Sequence, residues 1–143
     1  MRHVAFATIL AALSFAFVPA ITPAKAGVTV QVDRNGQTME VFVDGFPRYT
    51  WKVSTGRRGY GTPSGTFHPH WMAARWFSRV YYNAPMPHAI FFYGGFAIHG
   101  SYEIGRLGTP ASHGCIRLHP NDAAVLFDLI HSEGMQNTTI VVQ

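Results

Sequence analysis

Ser112-His113-Gly114-Cys115-Ile116-Arg117 decides how this chain is read, because it holds the only cysteine among 143 residues. Upstream, Ala97-Ile98-His99-Gly100 supplies a second histidine, with fifteen residues between His99 and Cys115. A thiol attacks a carbonyl only as thiolate, so it needs a base or a positive charge beside it. The oxyanion that follows needs backbone N–H donors, and glycine lets a substrate come close to them. One thiol, two histidines and the neighbouring glycines therefore read together as a nucleophilic catalytic site. The bland alternative for Cys115 is a buried, inert thiol. Gly114 gives it little side-chain cover, which favours the functional reading.

The first 26 residues have the pattern of a secretory signal peptide. Arg2 and His3 form a short basic start, and Val4 to Val18 is an apolar run too short for a comfortable membrane span. Pro19 breaks it, and Ala24-Lys25-Ala26 offers small residues for cleavage before Gly27. An uncleaved anchoring helix is the alternative, and no cysteine follows the cleavage point to carry a lipid. Residues 27–143 then make one domain of 117 residues around one core. With Arg2 and Lys25 gone, the net charge falls from +4 to +2. No stripe of Lys and Arg marks a nucleic-acid surface, so none is expected as a partner. With 13% charged and 14% aromatic residues, the chain reads as a packed domain, not a disordered one. An exported protein with a single cysteine has no internal disulfide, and a lone thiol there is a liability unless used or buried.

Val28 to Val32 and Met39 to Val43 alternate apolar and polar, with Asn35-Gly36 between them as a hairpin turn. Asp44-Gly45 turns the chain into a third strand, Phe46 to Val53. Ser54 to Gly65 reads as a loop with Arg57-Arg58 at a solvated tip. Thr66-Phe67-His68 starts another strand, limited by Pro69. Residues 70–88 fit either a short helix or an irregular aromatic strand. Ala89 to Phe92 and Phe96 to Ile98 read as short buried strands around Gly94-Gly95. Pro120 opens a helix to about His131, with Ala124, Leu126, Phe127 and Ile130 as its apolar stripe. Gly134 ends it, and Thr138 to Val142 is a last strand. The expected class is mainly β with one principal helix after the cysteine.

Four segments, in order along the chain, resemble the L,D-transpeptidase catalytic domain, the YkuD-like family. They are Met39 to Gly45; Val53-Ser54-Thr55-Gly56 with Thr62-Pro63-Ser64-Gly65-Thr66-Phe67; Met86 to Phe92 with Phe96 to Gly100; and Leu107 to Leu118. Ser-His-Gly-Cys with an upstream His-Gly is specific, whereas Thr-Pro-x-Gly alone is weak. The family often has Asn two residues after the cysteine; Arg117 stands here, as it does in some members.

The resemblance implies a β-sandwich fold and a periplasmic enzyme acting on peptidoglycan stem peptides. Such enzymes cut a tetrapeptide donor after its third residue, release D-alanine, and pass the acyl group through a cysteine thioester to an amine. Acceptors are another stem, a free D-amino acid or an envelope protein. Carbapenems acylate the same cysteine. No metal or other cofactor is needed, and a monomer is expected.

On this reading Cys115 is the nucleophile and His99 the base. The resemblance assigns the orienting of His99 to the Gly100 carbonyl, with Glu103 as an acidic alternative. Backbone N–H groups at Gly114 and Cys115, with His113 as a further donor, make the oxyanion hole. His113 either binds substrate or packs beside the cysteine. Ser112 is read with the substrate-binding residues, a supporting hydroxyl hydrogen bond being its structural role. Arg117 either grips a stem-peptide carboxylate or makes a structural ion pair. His119 caps the helix.

The rivals are weaker. A papain-like peptidase has its cysteine before its histidine, and a sortase-like enzyme places its arginine much farther downstream. A metal site from His68, His70, His99, His113 and Cys115 lacks paired ligand spacing. A catalytically silent wall-binding protein would not need the thiol, and a carboxypeptidase differs only in using water as acceptor.

Overall fold

A computed structural model describes residues 27–143. The expected signal peptide, residues 1–26, lies outside the described residues. Among the described residues, nine strands form two open sheets, accompanied by one α-helix. The first sheet holds β1 (Val28–Asp33), β2 (Thr38–Val43), β3 (Phe46–Lys52), β4 (Gly65–Phe67) and β9 (Thr138–Val142), in the order β3-β2-β1-β9-β4. The second holds β5 (Trp71–Ala73), β6 (Ala89–Tyr93), β7 (Phe96–Gly100) and β8 (Ile116–Leu118), in that order. Helix α1 (Pro120–Glu133) follows β8.

Strand alternation sets the core. Val28, Val30 and Val32 of β1 are buried while Thr29 and Gln31 are half-buried, as a period of two requires. They meet Met39 and Val41 of β2 and Ile140 and Val142 of β9. From the second sheet Ile90, Phe92, Ile98, Ile116 and Leu118 join the same core. Each such side chain contributes roughly 1.5–3 kcal/mol by leaving water. The mainly β, sandwich-type reading therefore holds.

Three details differ from the sequence reading. The β1–β2 turn spans Arg34 to Gln37, and its positive φ of 53° falls on Gln37, not Gly36. Asp33 Oδ1 accepts from the Asn35 N–H at 2.8 Å and fixes the turn's entry. In α1 the fully buried residues are Ala123, Leu126 and Ile130. Ala124 is only half-buried: a spacing of three and four from Leu126 places Ala123 on the core line. The helix starts where expected, with His119 Nδ1 accepting from the Asn121 N–H at 3.2 Å, and runs two residues beyond His131.

Residues 70–88 are not helical. Beyond β5 they continue the β5–β6 ladder as an irregular hairpin. His88 donates its N–H to the Ala74 carbonyl, Met86 to Trp76, and Ser78 to Ala84. Tyr82 and Asn83 turn the tip with φ of 54° and 50°.

Candidate active site

The site lies where β7 and β8 run parallel. Ile98 pairs with Ile116, His99 with Arg117 and Gly100 with Leu118. Ile98, Ile116 and Leu118 enter the main core, so residues of opposite parity face the other side of the sheet. Those residues are Ala97, His99, Cys115 and Arg117. Ala97 and Cys115 join a second apolar cluster with Met86, Ala89, Phe91 and Trp76. His99, on β7, and Cys115, just before β8, thus face the same side because those strands are neighbours in register.

His99 is buried, and its Nδ1 lies 2.7 Å from the Gly100 carbonyl oxygen. A carbonyl only accepts, so Nδ1 carries the hydrogen and Nε2 keeps its lone pair. Burial lowers the imidazole pKa to about 4; the Gly100 hydrogen bond opposes this and the Arg117 charge adds to it. The backbone carbonyl, not Glu103, sits at Nδ1. Gly100 is itself confined: a Cβ there would lie 3.0 Å from Pro120 Cα and from Pro87 Cγ.

Cys115 is half-buried, with Sγ 4.0 Å from the Gly95 carbonyl oxygen. Burial raises its pKa above the usual thiol value, while the Ala97 backbone hydrogen bond and Arg117 pull the other way. Both shifts favour the uncharged forms of the thiol and the imidazole.

The turn before Cys115 is braced from within. Ser112 Oγ donates to the Cys115 carbonyl at 2.6 Å and accepts from the Gly114 N–H at 3.0 Å. Ser112 is buried, its hydroxyl is engaged in bracing the turn, and it borders the cavity that holds His99 and Cys115. Gly114 has φ of +118°, and a Cβ there would lie 2.5 Å from Phe96 Cε1. Its N–H donates to Ser112 Oγ in this structure. Thr62 Oγ1 donates to the Gly114 carbonyl at 2.8 Å and accepts from the Gly56 N–H at 2.9 Å. The Thr-Pro loop is thereby tied to the cysteine turn. Ser54 and Arg117 exchange backbone hydrogen bonds at 3.0 and 2.9 Å, joining the loop to β8.

Arg117 NH1 lies 2.7 Å from Glu103 Oε2, so the structural ion pair is formed. Arg117 also lines the cavity that holds His99 and Cys115. His113 is half-buried; its Nε2 accepts from Arg57 NH2 at 3.0 Å. Tyr81 stacks on its ring, with centroids 4.1 Å apart and planes 14° apart, and Tyr60 meets it edge-on at 4.8 Å. Burial, then Arg57 and Arg117, lowers the His113 pKa.

Two site features escaped the sequence reading. Arg57, read as a solvated loop tip, is held against His113 by its backbone N–H on the Ser112 carbonyl at 3.0 Å and by its guanidinium. The irregular hairpin supplies the other: Trp76, Val80, Tyr81 and Met86 wall a cavity of about 230 Å³ with His99 and Cys115. Asn83 beside two tyrosines was its one usable turn signal. Among the described residues, no three His, Cys, Asp or Glu side chains group closely enough to hold a metal ion.

The two-sheet β domain opens one thiol and one imidazole into a shared cavity, an arrangement of the kind nucleophilic cysteine chemistry uses. The chain belongs to the YkuD family, the L,D-transpeptidase catalytic domain, whose family model matches residues 27–142. Among solved structures, it is similar to an L,D-transpeptidase from Mycobacterium smegmatis at 29% identity and TM-score 0.73, covering 82% of this chain and 59% of that one. An L,D-transpeptidase from Stackebrandtia nassauensis matches at 29% identity and TM-score 0.72, covering 85% and 58%. L,D-transpeptidase 3 from Mycobacterium tuberculosis, solved with a faropenem-derived adduct, matches at 20% identity and TM-score 0.70, covering 82% and 60%, a likeness of fold. The chain thus spans about three fifths of the solved chains it matches. No curated protein matches it.

Proposed function

We propose that this protein is an exported L,D-transpeptidase acting on peptidoglycan stem peptides in the periplasm as a monomer. Cys115 attacks the carbonyl after the third, diamino acid residue of a tetrapeptide donor. His99 Nε2 takes the thiol proton as the C–S bond forms and gives it to the departing D-alanine nitrogen as the C–N bond breaks. An acceptor amine then attacks the thioester, its proton passing through His99 to the cysteine sulfur. The acceptor is another stem, a free D-amino acid or an envelope protein. With Gly114 committed to Ser112, the oxyanion falls to the backbone N–H of Cys115, with that of His113 beside it. A donor of this kind is typically worth about 3 kcal/mol of barrier.

The observation that carries the reading is the tautomer of His99. The Gly100 carbonyl holds the Nδ1 hydrogen, so the basic nitrogen is the free one, on the sheet face that bears Cys115. Export rests on the pattern of residues 1–26.

Mass spectrometry of products after mixing residues 27–143 with a tetrapeptide muropeptide tests it, with Cys115→Ala alongside. D-alanine loss with a dimer joined third residue to third residue is the expected result. D-alanine loss without a dimer, abolished in Cys115→Ala, would indicate water or a protein as acceptor. No turnover would overturn the proposal.

A further inference from the structure

A second cavity of about 510 Å³ adjoins the first and shares Tyr81, Ala84, His113 and Arg117 with it. Its chemistry is different. Arg57, Arg106 and Arg117 line it against a single acid, Glu103. Glu103 is spent on Arg117 at 2.7 Å, and among the described residues no carboxylate pairs with Arg57 or Arg106. Arg57 meets only neutral partners, His113 Nε2 at 3.0 Å and the Tyr60 ring at 4.5 Å.

Both arginines stand on fixed backbone. The Arg57 N–H donates to the Ser112 carbonyl at 3.0 Å. Arg106 ends a single 3₁₀ turn (Ile104–Arg106), and its carbonyl accepts from the Thr109 hydroxyl at 2.8 Å and from the Thr109 N–H at 3.2 Å. Two guanidinium groups are thus presented beside the thiol cavity without a counter-ion. Such planar, permanently charged forks match a carboxylate bidentately.

We propose that this groove is a subsite for the acyl acceptor, selecting amines that carry a carboxylate on the same carbon, with Arg57 and Arg106 as the groups that read it. The inference rests on the transpeptidase reading above. The leaving D-alanine and the incoming amine take turns on the same side of the acyl carbon, by microscopic reversibility. D-alanine is itself an amine with an adjacent carboxylate, so a site that releases it fits acceptors of that shape. In the transfer the acceptor nitrogen forms an amide as the C–S bond breaks, and its proton goes to the cysteine sulfur. Two sources share this chemistry: a free D-amino acid, and the carboxylate-bearing end of a second stem's diamino acid.

The test compares D-methionine with D-methioninamide as acceptor for one tetrapeptide donor. The readout is the ratio of their rates, which a general loss of activity does not move. A bidentate charged contact predicts a preference for the carboxylate of roughly tenfold or more. Arg106→Gln and Arg57→Gln should each lower that ratio, and the double variant should bring it near one. Stem dimers counted in the same reactions separate the sources: whichever product falls against the amide identifies the acceptor read by the groove. A ratio unchanged in both variants, or absent in the wild type, overturns the proposal. Binding of D-methionine and its amide to Cys115→Ala, followed by NMR shifts, needs no acyl-enzyme. Carboxylate-selective binding that disappears with the arginines, in a protein whose wild type forms no acyl-enzyme, would keep the groove and discard the transpeptidase reading. Equal binding of acid and amide there would discard the groove.

Discussion

Acidifying the protein from pH 7 to pH 4 should cost it stability through one residue, His99. Its imidazole titrates near 6.5 in an unfolded chain and at about 4 in the folded protein, because burial disfavours the cation. Between those values the unfolded chain binds a proton that the native state refuses, so unfolding is favoured as pH falls. Stability from this group is complete above about pH 6.5 and lost progressively down to the folded value. Two and a half pH units at about 1.36 kcal/mol each amount to about 3 kcal/mol. That is a large share of the ~5–15 kcal/mol a domain has in total. Urea unfolding of wild type and His99→Gln at pH 7, 6, 5 and 4 isolates it, since every other titrating group is common to both. The wild type should lose about 3 kcal/mol more than the variant over that span. Parallel curves would refute the argument. They would mean that His99 is solvated or that the charged form finds a partner, and the free, neutral Nε2 would go with it.

The thiol makes a companion prediction. Because burial raises the Cys115 pKa, alkylation by iodoacetamide in the absence of substrate should climb with pH through and beyond the usual thiol range, with no plateau at pH 7; a plateau there would mean a preformed thiolate–imidazolium pair. Ser112→Ala should destabilise the fold by about 1–3 kcal/mol in urea unfolding, by stranding the Gly114 N–H and the Cys115 carbonyl, and should slow acylation of Cys115 in an intact-mass assay; unchanged stability would show that the brace is idle.

Much of this architecture could be read from local pattern. Val28 to Val32 and Met39 to Val43 alternate because one face is core, and Pro120 and Gly134 bracket α1 by the backbone angles they favour. The parity that puts Cys115 and His99 on one face is also local, once β7 and β8 are known to be neighbours. What resisted reading depends on partners distant in sequence. Residues 74–88 carry no period of their own; their hydrogen bonds come from extending the β5–β6 register. Arg57 looked solvated because its neighbours are glycines and another arginine, yet its partners are Ser112 and His113, more than fifty residues on. Ser112 and Gly114 could be placed at one turn, but the hydrogen bond that links them depends on a side-chain rotamer. Ala123 replaced Ala124 on the core side because only Ala123 keeps the helical spacing of three to Leu126.

The position of β9 has a consequence for how the chain matures. Its five residues, Thr138–Val142, lie between β1 and β4, parallel to one and antiparallel to the other. β9 is thus the keystone of the larger sheet, and its partner β1 lies more than a hundred residues earlier in the sequence. Until β9 is in place, β1 and β4 each lack one neighbour and the core lacks Ile140 and Val142. A growing chain cannot close this sheet piecemeal, and pairings of such long range form slowly. Completion of the larger sheet is therefore a late event in folding, and loss of β9 would open two strand edges at once.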